Sequence, residues 1–453
     1  MNRFIEWLNK YLVPIAAKIS TVRWLVALRD AFIAIMPAMM AGSIATVLNA
    51  LVRDIPTKFG WMGFVNSMQW LIGINAMVWT GTLAILGLIF AFTFGYQLAI
   101  QYKVEPVTGG IVTLGTFIMS LPQNFTGTLT QGLSKGATKI LTDSGMAVAG
   151  KKVTAWGYFN FGTYFGSYGF FTVMILGAIA STVYIMLMKK HITIKMPDSV
   201  PPAVANAFTG VIPAAAAFYV VGIINWIFSK FNTTVIEWIA KVIQEPLLNM
   251  SQGYGAVLLL TLLVQIFWFF GIHGSNVLAP ILDGIWLTAQ LANVNAFQAG
   301  KTLPYMWTRN CFDLYAWIGG AGSTLLLLVA ILMFSKRDDQ RSVAKLAIGP
   351  GFFNINEPVM FGMPIVLDPI YFLPFVLAPV VTVSIAYAAL SAGWVSPITN
   401  NIVWSMPPIM NALVATMDWR SVVLQLFNAA VAFAIYVPFV KAANKIKLTE
   451  IGD

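Results

Sequence analysis

The chain has 453 residues, 58% of them hydrophobic and only 10% charged, with a mean hydropathy of +0.77. Soluble globular proteins carry ~25% charged residues, so that class is excluded. The net charge of +10 does not point to nucleic acid, because the basic residues fall in short tracts between apolar runs, as the positive-inside rule arranges them.

One cysteine, Cys311, and two histidines, His191 and His273, leave no disulfide framework, cysteine-based zinc site or histidine-rich metal cluster, and no cofactor is expected. At ~20 residues per pass the length accommodates about eight to ten helical spans.

From the start of the chain, Glu6, Asn9, Lys10, Lys18 and Arg23 interrupt any apolar core, so residues 1–24 do not read as a cleavable leader. Phe4, Trp7, Leu8, Tyr11, Leu12 and Ile15 against Lys10 and Lys18 suit an amphipathic helix on the inner membrane surface. Apolar stretches predict spans near 28–52, 67–100, 106–121, 167–188, 203–228, 253–272, 313–335, 363–390 and 420–440. The tracts Lys189, Lys190, His191, Lys195, then Lys336, Arg337, Arg341, Lys345, then Lys441, Lys445, Lys447 are placed on the cytoplasmic side.

The segment 122–156, rich in Thr, Gly and Ser, becomes an outside loop. Within it Gly145 to Lys151 matches G-x4-G-K, but Lys152 takes the Ser/Thr position and no buried strand precedes it, which argues against a nucleotide site. Asn160, inside the aromatic run Trp156 to Phe161, is a candidate sugar contact: rings offer flat faces to C–H groups and amides bind hydroxyls.

Two later segments are interrupted. Residues 273–312, where Gly274, Pro280, Gly284 and Pro304 break helices, must cross once more or dip and return; 346–362 carries Gly349, Pro350, Gly351 and Pro358. Interrupted hydrophobic segments are the best pointer to a transport site. In the run Trp268 to Asn276, His273 lies between Gly271 and Gly274. It reads either as a histidine bonded to a carbonyl that closes a helix or as a site group, with Asn276 beside it.

The polar island Phe353-Asn354-Ile355-Asn356-Glu357-Pro358 interrupts apolar sequence, and a carboxylate at membrane depth costs ~3 kcal/mol on insertion scales. Glu357 is either a structural carboxylate on the N–H groups of a broken helix, or a hydroxyl ligand or base. Asn354 and Asn356 supply donors and acceptors. Asp368, before Pro369, reads as a helix N-cap, and Trp404 lies in the mixed run Asn400 to Pro408 as another candidate sugar contact. Functionally the chain divides into a scaffold and subunit interface over 1–230 and a substrate domain over 231–453.

Several blocks carry a family resemblance: Arg29-Asp30-Ala31-Phe32 with Met36-Pro37 and Gly42-Ser43, Met196 to Val204, Phe270-Gly271-Ile272-His273-Gly274, Gly319 to Thr324, and Phe353 to Pro364. The chain resembles, nearly end to end, the membrane-embedded enzyme IIC component of the bacterial phosphoenolpyruvate-dependent sugar phosphotransferase system, lactose/cellobiose/diacetylchitobiose family.

The resemblance implies an all-α inner-membrane protein of about ten transmembrane helices and two re-entrant hairpins, dimeric, with a scaffold domain and a mobile sugar-binding domain. It implies import of a disaccharide whose 6-hydroxyl is phosphorylated near His273 and Glu357. Asn354, Asn356, Asn276, Asn160 and Trp404 are the further candidate ligands. The resemblance implies a donor phosphocysteine on a soluble IIB partner, charged by a IIA histidine; Cys311 has no phosphate-cradling loop and reads as incidental, and a separate IIC subunit with no fused IIA or IIB region is expected. The competing reading is a proton-coupled sugar permease with Glu357 as the coupling carboxylate.

Overall fold

A computed structural model describes residues 22–157, 164–197, 200, 201, 205, 208–231, 233–363, 365, 366 and 368–444. The amphipathic segment expected over 1–24 lies almost wholly outside these residues, and Asn160 lies outside them. Seven of the described helices are long and apolar enough to cross a membrane, or eight if the bent pair Val235–Ser251 and Tyr254–Phe269 is one span. The sequence allowed about eight to ten spans and the family resemblance about ten, with which this count is roughly consistent. Part of the difference is the stretch 106–121, which forms a helix of 14 residues, Pro106–Met119, short of the ~20 a crossing needs.

Two compact units emerge among the described residues: 22–83 together with 245–444, and 84–244. The sequence placed one boundary near 230 and left the first 83 residues on the scaffold side. In the structure the early helices pack with the late ones, and Asn401 Nδ2 donates to Ser43 Oγ at 2.6 Å.

In the unit 84–244, helices Leu86–Gln101 and Pro106–Met119 meet through glycine. Any side chain on Gly95 would run into the Gly109 carbonyl and the Thr113 hydroxyl, so the two backbones touch directly, as small residues allow between membrane helices. Glu105 caps the second helix, accepting from the N–H groups of Val107 at 3.1 Å and Thr108 at 2.5 Å.

The expected outside loop is not irregular. It contains an antiparallel sheet of β1 (Asn124–Thr128), β2 (Ala147–Ala149) and β3 (Lys152–Trp156) in the order β1-β3-β2, with Phe125 opposite Ala155 and Val148 opposite Val153. The Gly145–Lys151 run supplies β2 and the turn into β3, and Lys151 Nζ donates to the Thr130 carbonyl at 3.0 Å.

In the other unit, the span Arg309–Phe334 is broken in its middle, where the sequence predicts unbroken helix over 313–335. After Ala316 the chain leaves the helix; Gly319, Gly320 and Gly322 take φ of +85°, +93° and +80°, and helix resumes at Thr324. Glycine alone reaches such angles without steric cost.

Six carbonyls at and beside the break are met by side chains. Gln425 Nε2 donates to Leu314 O at 2.8 Å, Asn428 Nδ2 to Tyr315 O at 3.1 Å, and Ser323 Oγ to Ala316 O at 2.7 Å. Thr324 Oγ1 donates to Gly319 O at 2.7 Å, Asn356 Nδ2 to Ala321 O at 3.3 Å, and the Tyr436 hydroxyl to Gly322 O at 2.5 Å. Around this seam pack Trp307, Phe312, Tyr315, Tyr371 and Tyr436, each buried.

Asn428 also donates to the Thr382 carbonyl at 2.9 Å. Asn428→Ala therefore strands two buried carbonyls, each costing about 1–3 kcal/mol. Its unfolding midpoint in detergent falls well below that of the parent; an unchanged midpoint contradicts this account of the seam.

Candidate functional site

The unit 22–83/245–444 encloses a cavity of about 360 Å³, walled by residues from 32–43, 268–290, 309–321, 354–357 and 401–404. That volume falls within the ~300–1,000 Å³ of small-molecule sites.

His273 reaches it by a local device. Helix Tyr254–Phe269 stops, Gly271 turns at φ +74°, and Gly274 packs so closely on Val264 that a side chain there would strike the Val264 backbone. His273 then caps the four-residue helix Gly274–Val277, its Nδ1 accepting from the Asn276 N–H at 3.2 Å. With Nδ1 an acceptor, the neutral ring carries its proton on Nε2. Nε2 lies 3.5 Å from Glu357 Oε1, and the ring leans on Trp268 at 4.3 Å between centroids. The sequence offered a histidine bonded to a carbonyl that closes a helix, or a site group; Nδ1 instead accepts an N–H and opens a helix, while Nε2 faces the carboxylate.

Glu357 opens the helix Glu357–Gly362, with Pro358 directly behind it in the first turn. Its side chain keeps 45% of its surface exposed, against 37% for His273. The pair is therefore accessible from the cavity rather than sealed in the core. Asn276 is exposed and Trp404 is 37% exposed; both line the cavity.

Asn354 and Asn356, buried on the same wall, make structural bonds. Asn354 Oδ1 accepts from the Gly319 N–H at 2.8 Å and its Nδ2 donates to the Trp404 carbonyl at 2.7 Å. Asp368 caps Pro369–Ser391 through the Ile370 N–H at 2.8 Å, as its sequence suggested. Cys311 is buried, and its sulfur accepts from the Thr308 N–H at 3.4 Å.

The sequence reading missed the charged half of the cavity. Arg309 Nε donates to Asp283 Oδ1 at 3.2 Å, and its Nη1 to both oxygens of Asp313 at 3.1 and 3.0 Å. Asn310 Nδ2 adds a bond to Asp313 at 2.9 Å. Gln290 donates to the side chains of both Asn310 and Asn401, and Asn401 reaches Ser43. The guanidinium carbon sits 5.5 Å from the centre of the Trp317 ring.

The signal was present. Arg309 and Asp313 are ionisable residues four apart at the head of an apolar span, and intramembrane charges mark pathways by default. The reading stopped at the cysteine between them.

In contrast, the basic tract after this span is occupied locally. Arg337 Nη2 bonds Asp339 at 2.6 Å, which holds that exposed carboxyl below its ordinary range, and Arg341 Nη1 donates to the carbonyls of Leu332 and Ser335 at 2.9 and 3.2 Å.

Several membrane-capable helices around a polar cavity, with broken helices at its wall, define a membrane permease. The family model for the phosphotransferase system EIIC component matches residues 29–379. The chain is 43% identical to the cellobiose-specific EIIC component of Lactococcus lactis subsp. lactis over the full length of both. It is 35% identical to the oligo-beta-mannoside-specific EIIC component of Bacillus subtilis, covering 98% of this chain and 95% of that one. The crystal structure of ChbC, the IIC component of the N,N'-diacetylchitobiose-specific phosphotransferase system, superposes with a TM-score of 0.87 at 33% identity, covering 98% and 99% of the two chains. The chain belongs to the EIIC family of the phosphotransferase system, the multi-span permease components of sugar transport.

Removing one member of this part-buried ion cluster leaves its partners uncompensated, at a cost between those of exposed and fully buried pairs, about 1–3 kcal/mol. Arg309→Met alone is expected to destabilise the protein in detergent by that amount. Adding Asp283→Asn and Asp313→Asn to it restores much of the loss. Equal unfolding midpoints for the single and triple variants contradict an ionised cluster.

Proposed function

We propose that this chain is the inner-membrane subunit that imports a β-linked disaccharide of the cellobiose type. It presents the 6-hydroxyl to a phosphocysteine on a cytoplasmic IIB partner, itself charged by IIA. The observation that carries the reading is the Nε2–Oε1 approach of 3.5 Å between His273 and Glu357 on the cavity wall. The relatives' names, cellobiose and oligo-beta-mannoside, support the substrate class. We further take the functional protein to be a homodimer, with residues 22–83 and 245–444 holding the substrate and 84–244 serving as scaffold.

The chemistry follows from the two groups. As the sugar oxygen attacks phosphorus, its proton passes to a Glu357 oxygen, the O–P bond forms, the S–P bond breaks and cysteine thiolate leaves. His273, donating from Nε2, orients the hydroxyl or the carboxylate before transfer. Phosphoryl transfer otherwise demands positioning and charge stabilisation, which the ion-paired wall of Arg309, Asp283 and Asp313 serves by hydrogen-bonding the rest of the disaccharide. Trp404 offers it a ring face, and Asn276 an amide.

In membrane vesicles supplied with phosphoenolpyruvate and the soluble proteins, Glu357→Gln is expected to lower sugar phosphorylation by about 10²-fold or more. Sugar binding should persist, because the amide keeps one acceptor. Unimpaired turnover removes Glu357 as the base. Uptake by vesicles without soluble proteins, abolished when the proton gradient collapses, supports the proton-coupled permease instead.

A further inference from the structure

Glu357 and Trp404 stand on different segments of one wall, 47 residues apart in sequence, and neither is in a long helix. Something must fix the ring relative to the carboxylate if both are to grip one small ligand. Gln290 and Asn310 tie the head of the broken span to Asn401 and Ile402, but the side chain that joins the break itself, at Gly319, to the backbone of Trp404 is Asn354.

Its backbone is unusual. Asn354 has φ +62°, and it ends helix Asp338–Phe352 in a left-handed cap: its own N–H donates to Gly351 O at 3.1 Å and the Ile355 N–H to Pro350 O at 3.1 Å. Asparagine and glycine tolerate this conformation best. Glycine would serve the turn as well, so the amide is there for another reason.

The amide is divided between two other segments. Oδ1 takes the Gly319 N–H of the broken span at 2.8 Å; Nδ2 gives to the Trp404 carbonyl at 2.7 Å. Two residues on, Asn356 presses on the same break: a side chain on Gly320 would meet Asn356 Cβ at 2.7 Å and the Asn354 carbonyl at 3.0 Å. The next residue is Glu357. One buried side chain, 7% exposed, thus ties the carboxylate segment, the break and the aromatic loop into one rigid corner.

We infer that Asn354 is a positioning residue for sugar affinity rather than a sugar ligand: it holds Trp404 in register with Glu357 on the cavity wall. The inference rests on the sugar-binding role proposed above. It predicts that the effect of changing Asn354 passes through the Trp404 ring.

The test is a double-mutant cycle on direct cellobiose binding, measured by titration calorimetry on the purified full chain in detergent. The parent is measured first; if it binds neither cellobiose nor related β-disaccharides, the proposed function fails and not this inference. Given binding, Asn354→Gly keeps the left-handed turn and loses both side-chain bonds; it is expected to raise Kd about tenfold, and because the Gly319 N–H and the Trp404 carbonyl lose a partner the sugar-free unfolding midpoint falls as well, so the binding cycle is the readout. Asn354→Asp keeps the acceptor for Gly319 but sets a carboxylate oxygen against the Trp404 carbonyl, and should weaken binding at least as much.

In a Trp404→Ala background, where the ring to be held is gone, Asn354→Gly should add less than a twofold effect, a departure from additivity that a general loss of fold does not produce. An unchanged Kd in Asn354→Gly overturns the inference. So does the same tenfold loss with and without the Trp404 ring, and so does failure of both Asn354 variants to fold, which makes the residue a folding element.

Discussion

Between Ala316 and Thr324 the chain gives up its helical bonds inside a segment otherwise apolar enough to cross a bilayer. Hydrocarbon offers no replacement partner, and an unpaired peptide group there costs several kcal/mol. The rest of the unit is organised to meet that demand. Gln425, Asn428 and Tyr436 project from the helix Trp419–Ala443 at intervals that follow the freed carbonyls, and Asn354 and Asn356 approach from the polar island. The break in turn lets the chain come close beneath Glu357, since Gly320 leaves no room for a side chain against Asn356.

The opposite wall has a different logic. Two carboxylates share one guanidinium, and the amides of Asn310, Gln290 and Asn401 extend the network to Ser43. A buried ion cluster is a weak source of stability compared with well-packed apolar side chains. Its presence beside a cavity fits a surface built to meet hydroxyl groups, since charged partners make the stronger hydrogen bonds. The arrangement also links the early helix Met36–Asn49 to residues near 400, which is why the compact unit is assembled from both ends of the chain.

Much of this was legible in the sequence where polarity interrupts hydropathy. His273 and Glu357 stand out because each is an ionisable group inside an interrupted apolar run, and the two meet. The spans over 28–52, 67–100, 167–188 and 420–440 were readable from length and apolarity alone. The break at 317–323 was not, because Gly319, Gly320 and Gly322 lie among Trp, Ile and Leu, and a hydropathy average passes over them. The cluster of Asp283, Arg309 and Asp313 was hidden by 26 residues of separation between its first two members. The sheet over 124–156 was read as loop because its short strands are exposed on both faces and lack the alternation that marks a half-buried strand. The amides of Asn354 were assigned to a ligand on polarity alone; sequence does not say that backbone groups 35 and 50 residues away would claim them.

The capping bond at His273 carries one more implication. A proton arriving at Nδ1 would displace the Asn276 N–H from the ring, although the turn keeps its backbone bonds to the His273 carbonyl. The imidazole therefore behaves as a fixed dipole with a single usable face, able to point a hydroxyl but poorly built to ferry its hydrogen onward. On the proposed chemistry the hydrogen ion would go to the acidic side chain opposite, making the two groups an orienter and an acceptor rather than a relay.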